Sequence, residues 1–194
     1  MRRLIVIEYV TLDGVTQAAG HAQEDSSNGF AHGGWSGPFM DDHGRYMTEA
    51  LNAMGALLLG RVTYDIWAGY WPTVTDPSDQ IARMLNAVPK YVASRTMREG
   101  SWPETTVIED AAGGVGELKQ QSGGDIVVMG SSELAQSLIA DDLVDEYRLM
   151  IHPVVLGNGK RLFRDGAPVR DLELTQATTM TSGLAILTYQ AVKR

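Results

Sequence analysis

The chain of 194 residues contains no cysteine. The sequence therefore excludes disulfides, thiolate metal sites and thiol nucleophiles, and it is typical of a reducing compartment, so we expect a cytoplasmic protein. No apolar run approaches the length needed to cross a bilayer. A basic surface is also missing, because the formal net charge is −8 and acidic residues are spread along the chain. We therefore expect neither nucleic acid nor a membrane as a partner.

The N-terminus begins with basic residues and an apolar run, as a signal peptide does. Glu8 interrupts that run, however, and no convincing small-residue cleavage site follows. We therefore interpret Leu4–Val10, which is rich in β-branched residues, as a first strand. The length suits one well-buried core, so we expect a single domain over residues 1–194.

Common catalytic and nucleotide-binding motifs are missing as well. No Gly-x-Gly-x-x-Gly fingerprint or Walker loop is present, because Gly157–Lys160 lacks the spacing and the hydroxyl residue after the lysine. The segment His32-Gly-Gly34 could form an oxyanion loop, yet no Gly-x-Ser-x-Gly elbow accompanies it. The histidines lack a paired ligand spacing, so we predict no metal site.

The sequence does contain a strand, a tight glycine turn and a helix between residues 124 and 139. Ile126–Met129 is a short apolar run, Gly130 ends it, and Ser131 and Ser132 are suited to cap the following helix. Such a unit directs unpaired backbone N–H groups and the positive end of a helix dipole at the carboxyl edge of a sheet, where phosphates are commonly bound. A purely structural turn explains the same residues, because a single Gly-Ser-Ser is a weak motif.

Strands and helices alternate in the first part of the chain, whereas the last part is rich in strands. Further strands are predicted at Ala56–Leu59, Lys90–Ala93, Thr105–Ile108, Asp145–Ile151, Leu172–Thr179 and Leu184–Val192. This pattern favours a three-layer α/β/α fold, in which a mostly parallel sheet is covered on both faces. The closing strands suggest an antiparallel edge.

Apolar spacing predicts the helices between these strands. One amphipathic helix covers Tyr46–Met54, after two aspartates suited to its first turn. Tyr64, Trp67 and Trp71 share one face of the next helix, where they indicate a packed core rather than a cofactor site. Ser78 is predicted to cap the helix after that.

Three predicted strands end in similar polar segments, Gly60-Arg-x-Thr63, Ser94-Arg-Thr96 and Gly130-Ser-Ser132. Because the carboxyl ends of parallel strands share one edge, these segments could surround one extended ligand. Arg61 and Arg95 could bind phosphate through forked hydrogen bonds, which suits the additional 2′-phosphate of NADP. Coincidence, with both arginines simply solvated, is the competing interpretation.

The order of several short motifs resembles that of a known family. The motifs are Thr11-Leu-Asp-Gly14, Leu59-Gly-Arg-x-Thr-Tyr64, Ser94-Arg-Thr96, Val128-Met-Gly-Ser-Ser132 and Pro153-Val-Val-Leu-Gly-x-Gly159. Together they resemble the dihydrofolate reductase-like superfamily over nearly the whole chain. More narrowly, they resemble the branch with the reductase domain of the bifunctional riboflavin-biosynthesis deaminase/reductase. The resemblance implies an eight-stranded sheet, an NADPH-dependent reductase activity with the cofactor along the carboxyl edge, and a homodimer.

The resemblance also implies roles for individual residues. The residues expected to bind NADPH are Gly60, Arg61, Thr63, Ser94, Arg95, Thr96, Met129, Gly130, Ser131, Ser132, Glu133 and Leu134. The loop from Val15 to Pro38 is expected to cover the nicotinamide, and Trp35 and Phe39 to form a substrate wall. Asp13 is expected to position the substrate. Ordinary packing competes with the role of both aromatic residues, and turn formation competes with that of Asp13.

The proton source is the point at which the sequence departs from the family. Dihydrofolate reductases place a carboxylate early in the corresponding helix, at a position that falls near Gly44. Asp42 is predicted to be catalytic, with Asp41 or a water as alternatives and helix capping as a competing role. The substrate stays open among pterins, pyrimidines and related nitrogen heterocycles, because residues 15–38 contain no basic side chain for a phosphoribosyl group. A non-catalytic NADP(H)-binding module is the alternative function.

Overall fold

The computed structural model describes residues 1–192; the last two residues of the expected domain, 193 and 194, lie outside the described residues. The strands are β1 Leu4–Thr11, β2 Met54–Gly60, β3 Lys90–Ala93, β4 Thr105–Ile108, β5 Asp125–Met129, β6 Glu146–His152, β7 Leu172–Thr179 and β8 Ala185–Ala191. They form one sheet in the order β4-β3-β2-β5-β1-β6-β8-β7. Neighbours from β4 to β6 are parallel, whereas β8 pairs antiparallel with β6 and with β7. The predicted antiparallel edge is therefore confirmed.

Helices cover both faces of this sheet. They are α1 Met40–Ala50, α2 Arg61–Ala68, α3 Gln80–Ala87, α4 Ala111–Gln120 and α5 Ser132–Ala140. One apolar core contains buried side chains of α1, α2 and α3, among them Met47, Tyr64 and Leu85, and a second core contains those of α4 and α5. The predicted three-layer α/β/α architecture is confirmed. Within residues 1–192, no helix combines the length and the apolar character that spanning a membrane requires.

Strand β1 runs through the interior of the sheet, between β5 and β6. Ile5 and Ile7 pack in the core under α1, α2 and α3, while Leu4 and Val6 pack in the core under α4 and α5. Since successive strand side chains point to opposite faces, a strand that is buried on both faces needs a continuous apolar run. By the same alternation, Glu8 lies on the face of Leu4 and Val6.

Two predicted helices end earlier than their apolar spacing indicated. Helix α1 stops at Ala50, and Met54 begins β2 instead of ending the helix. Helix α2 stops at Ala68, so that Trp71 lies in a separate 3₁₀ turn, although its ring still packs against that of Trp67. Apolar periodicity continues through a short connection when both elements face the same core, which is why these boundaries were wrong.

The predicted cap of α3 was wrong, and the capping role considered for Asp41 and Asp42 is not observed, although their predicted place in the first turn of α1 is confirmed. Asp79 caps α3 by accepting the backbone N–H of Ala82 at 2.8 Å, and Ser78 donates its hydroxyl to Asp76 instead. Asp41 and Asp42 lie within the first turn of α1, where their charges favour the helix dipole, but neither caps it. Several hydroxyl and carboxylate residues lie near each helix start, and the sequence alone does not indicate which of them caps the helix.

Strand β6 is more deeply buried than its alternation of polar and apolar residues predicts. Glu146 is buried, and its carboxylate binds Arg3 at 2.9 Å and Arg148 at 2.6 Å. Both guanidinium groups satisfy the carboxylate where water does not reach it, as a buried charge requires.

Candidate functional site

A cleft of about 840 Å³ lies at the carboxyl edge of the parallel strands. It is lined by the ends of β1, β2, β3 and β5, the starts of α2 and α5, and part of the loop between β1 and α1. Every residue predicted to bind the cofactor lines it, namely Gly60, Arg61, Thr63, Ser94, Arg95, Thr96, Met129, Gly130, Ser131, Ser132, Glu133 and Leu134. The structure therefore brings the three strand ends together around one volume.

Two helix N-termini face the cleft, and one hydrogen bond joins them. The Ser131 hydroxyl accepts the backbone N–H of Gly60 at 3.0 Å, which connects the start of α5 to the start of α2. The predicted cap at Ser131 was therefore wrong: the residue occupies the N-cap position of α5, but its side chain bonds to the neighbouring turn. First-turn N–H groups have no acceptor within their own helix, so both helix starts are suited to bind an anion.

The turn before α5 is made by two successive residues in left-handed conformation, Gly130 with φ 59° and Ser131 with φ 60°. Serine adopts this region at a cost, whereas glycine adopts it freely. A Cβ at Gly130 would lie at an ordinary contact distance from the methyl group of Thr63, 3.5 Å, so the backbone conformation rather than crowding favours glycine here. The turn therefore exposes backbone, rather than side chain, to the cleft between β5 and α2.

Both predicted phosphate-binding arginines lie at the cleft and are solvent-exposed. The Nε of Arg61 contacts the Oδ2 of Asp65 at 2.6 Å, one helical turn further along α2. Within residues 1–192, Arg95 makes no ion pair or hydrogen bond through its side chain. Beside it, the Ser94 hydroxyl accepts the backbone N–H groups of Thr96 and Met97, at 3.3 and 3.1 Å. The guanidinium of Arg95 is therefore free to bind a ligand, and the turn that carries it is stabilised by the Ser94 hydroxyl.

Lys160 joins the loop between β1 and α1 to the start of α5. Its ammonium lies 2.9 Å from a carboxylate oxygen of Asp25 and 2.9 Å from one of Glu133. Although burial alone would raise the pKa of Asp25, hydrogen bonds from Ser27 and Lys160 lower this pKa to about 2. The negative charge of Glu133 would repel a bound anion at the start of α5, and Lys160 offsets this charge.

Glu8 is a site residue that the motif analysis missed. It lines the cleft, its side chain is 3% exposed, and its Oε1 has no hydrogen-bond partner among the described residues. Burial, helped by the nearby charge of Glu24, raises the pKa of Glu8 to about 8. The available signal was an acidic residue inside an otherwise apolar strand, which is costly unless the carboxyl is neutral or paired.

Tyr9, the next residue along β1, connects the cleft to a buried pair of histidines. Its ring stacks on His43 at 4.3 Å, and the Nε2 atoms of His43 and His152 are 2.8 Å apart. Burial, followed by the nearby His152, lowers the pKa of His43 to about 4, and burial also lowers the pKa of His152. The Nδ1 of His152 lies 2.8 Å from the Met150 carbonyl, so His152 donates there and both rings are neutral.

The two aromatic residues predicted to contact substrate lie beside this histidine pair and do not line the cleft. Trp35 is buried and donates its indole N–H to the Gln17 carbonyl at 2.9 Å. The rings of Trp35 and Phe39 approach His152 edge-on, at centroid distances of 4.9 and 5.1 Å. Their role as a substrate wall stays a prediction.

The two aspartates predicted as site residues, Asp13 and Asp42, are also outside the cleft lining. The Oδ1 of Asp13 accepts the Thr11 hydroxyl at 2.6 Å, and its Oδ2 accepts the Gly157 N–H at 2.8 Å, which lowers the pKa of Asp13. Asp42 is 8% exposed and accepts the Ser182 hydroxyl at 2.5 Å. In this structure Asp13 stabilises a turn, and Asp42 joins α1 to the turn between β7 and β8.

Comparisons with known proteins agree with this architecture. Residues 2–186 match the RibD C-terminal domain family. Two uncharacterized proteins of Bacillus subtilis are related: YyaP is 35% identical over 144 residues, covering 73% of this chain and 77% of YyaP, and YwjB is 26% identical over 164 residues, covering 84% of each.

Two solved structures share the fold. One, from Shewanella sp. PV-4, is named for riboflavin biosynthesis and aligns over 99% of this chain and 100% of its own, with a TM-score of 0.69 and 19% identity. The other, a pyrimidine reductase-like protein from Corynebacterium diphtheriae, aligns over 100% and 93%, with a TM-score of 0.64 and 13% identity. The resemblance stated from the motifs is confirmed, and the chain belongs to the RibD C-terminal domain family.

Proposed function

We propose that this protein is an NADPH-dependent reductase that transfers a hydride to a small nitrogen heterocycle. The observation that carries the proposal is the convergence of two helix N-termini and two arginines on one cleft at the carboxyl edge of the sheet. Open α/β sheets bind nucleotides at this edge. Membership of the RibD C-terminal domain family supports reductase chemistry at this site.

The residues present fit a dinucleotide phosphate. The first turns of α2 and α5 offer unpaired N–H groups for the pyrophosphate, and the turn before α5 contains Gly130, which has no side chain. Arg95, with Ser94 and Thr96 beside it, would bind the 2′-phosphate through a forked, charge-assisted contact. When bound, the reduced nicotinamide supplies the hydride, and the protein contributes position and exclusion of water.

Charges around the cleft set limits on the substrate. The ammonium of Lys160 is held by Asp25 and Glu133, and the part of the loop that lines the cleft carries acidic side chains but no basic one. A second phosphate-bearing molecule would therefore find few basic contacts on the loop side. We infer an uncharged ring, such as a pterin or a pyrimidine base, as the better match, ahead of the phosphoribosyl pyrimidine of riboflavin synthesis.

A homodimer remains part of the proposal, and the edge of the sheet supports it. Strand β7 is largely exposed along its length, and Leu174 on it is 51% exposed. An exposed edge strand offers unpaired backbone groups to a second copy. Light scattering of the purified protein tests this: we expect a dimer that Leu174→Lys weakens, and a monomer at all concentrations would contradict it.

The function is tested by titrating the purified protein with NADPH and then following nicotinamide absorbance with candidate acceptors. The acceptors are dihydrofolate, 5-amino-6-(5-phosphoribosylamino)uracil and the same pyrimidine without its phosphate. Tight binding with oxidation of NADPH by one acceptor supports the reductase. Binding without oxidation by any acceptor would favour the non-catalytic NADP(H)-binding module, and absence of binding would remove both.

A further inference from the structure

We propose that Glu8 is the proton donor for the reduction, a role that rests on the proposed reductase function. Glu8 lies near the carboxyl end of β1, directly after Ile7, which is paired with Met129 at the end of β5. Glu8 is among the residues that line the cleft, and its buried Oε1 has no hydrogen-bond partner among the described residues. The carboxyl group of Glu8 therefore lies among the strand ends that surround the cleft.

The surroundings of Glu8 keep this carboxyl in its acid form. On its face of the sheet lie the apolar residues of the second core. The other charged residues that line the cleft are Glu24, Asp25, Glu109, Glu133, Arg61, Arg95 and Lys160. Lys160 is held by Asp25 and Glu133, at 2.9 Å each, and Arg61 by Asp65, at 2.6 Å. No ion pair forms with Glu8 within residues 1–192, so burial and Glu24 raise its pKa to about 8.

A neutral carboxyl at this point can complete the reduction of a C=N bond. The substrate carbon gains a C–H bond from the hydride of the reduced nicotinamide, and the π electron pair moves to the substrate nitrogen. An N–H bond forms there as the O–H bond of Glu8 breaks, which leaves Glu8 as a carboxylate. The substrate is reduced by two electrons, the nicotinamide is oxidised by two, and water returns a proton to Glu8.

Other acids near the cleft are less suited to this step. Asp42 lies outside the cleft lining and binds Ser182. Tyr9 lines the cleft, but burial raises its pKa above the ordinary value, so the phenol is a weaker acid. A donor is most effective when its pKa lies close to the working pH, and Glu8 meets this condition.

The test combines Glu8→Gln with the matched control Glu117→Gln, which makes the same change at an exposed position of helix α4. Glu8→Gln keeps size and polarity but has no acidic proton, so we expect NADPH affinity within about threefold of wild type. With an acceptor from the screen, we expect hydride transfer in a single turnover to slow by about 100-fold or more. Glu8→Asp, which keeps the acid, should recover part of the rate.

A readout that needs no acceptor comes from carbon NMR of protein labelled at the glutamate carboxyl carbons and saturated with NADPH. The resonance absent from Glu8→Gln should titrate near pH 8, and Glu24→Gln should move that midpoint downward. Titration near the ordinary 4.5, or NADPH oxidation by Glu8→Gln at the wild-type rate, would overturn the assignment while leaving the reductase in place. Failure of wild type to bind NADPH would instead remove the proposed function.

Discussion

The hydroxyl of Ser131 accepts the backbone N–H of Gly60 at 3.0 Å, across 71 positions of sequence. This bond fixes the start of α5 against the start of α2. Two helix N-termini then face one cleft at a set separation, which is the arrangement an extended diphosphate needs. Ser131 also holds an unfavourable left-handed conformation to make the bond.

Two substitutions at Ser131 separate the hydrogen bond from the backbone strain. We expect Ser131→Ala to lower the free energy of unfolding by about 1 kcal/mol, because the bond is lost and the strain stays. Ser131→Gly also loses the bond, but glycine relieves about 1 kcal/mol of strain, so its stability should stay close to wild type. Urea denaturation measures both. Equal destabilisation by the two variants would contradict this division.

Removal of the Lys160 ammonium should weaken cofactor binding. In Lys160→Met, Glu133 is left without its partner beside the phosphate site, and Asp25 loses one of the groups that lower its pKa. We expect NADPH affinity to fall by about 1 kcal/mol, or roughly fivefold, with Lys160→Arg close to wild type. Fluorescence titration measures this affinity. An unchanged NADPH affinity in Lys160→Met would contradict the claim that Lys160 offsets the negative charge of Glu133.

Glu8 should make the protein less stable as the pH rises. Its pKa is about 8 in the folded state and 4.5 ordinarily, so between these values the folded state binds the proton that the unfolded state releases. The stabilisation is complete below about pH 4.5 and is lost as the pH rises through 8, a change of roughly 5 kcal/mol. Denaturation across this range should show a shallower decline for Glu8→Gln than for the exposed control Glu117→Gln. Parallel curves would refute the raised pKa.

The pair formed by His43 and His152 should make the protein less stable as the pH falls. Burial lowers the pKa of His43 to about 4 from 6.5, so as the pH falls between these values the unfolded state takes up a proton that the folded state refuses. Stability is present above pH 6.5 and is lost as the pH falls toward 4. His43→Phe keeps a ring against Tyr9 and should flatten this acid limb, whereas the exposed His32→Gln should not. An equally steep limb in His43→Phe would contradict a neutral pair.

Local patterns predicted the sheet well because the apolar residues within each strand indicate whether one or both of its faces are buried. The bounds of β3, Lys90–Ala93, and β4, Thr105–Ile108, agree with the structure residue for residue, since Pro89 and the polar residues after Ala93 and Ile108 limit them. The gathering of the strand ends also followed from parallel topology alone. Helix ends and caps were less predictable, because the competing candidates differ only in tertiary contacts.

The interior of the site was not predictable from motifs. Glu8 stood out only as an interruption of an apolar run, and its raised pKa depends on burial and on Glu24, which the fold brings near it. Likewise, Asp42 fits a catalytic carboxylate by its position in sequence, yet its contact is with Ser182, 140 positions away. Proximity of this kind is created by the fold and leaves no periodic signal in the sequence.

The most direct test of the account is a titration of the wild-type protein with NADPH and with NADH, followed by nucleotide fluorescence and repeated with Arg95→Ala and Arg61→Ala. The control is Arg164→Ala, an exposed arginine outside the cleft lining. We expect wild type to bind NADPH about tenfold or more tightly than NADH, and Arg95→Ala to remove most of that preference, because the 2′-phosphate loses its charge-assisted partner. Arg61→Ala should weaken both nucleotides. Equal affinity for NADPH and NADH in wild type, or no binding of either, would contradict the assignment of the cleft as an NADPH site.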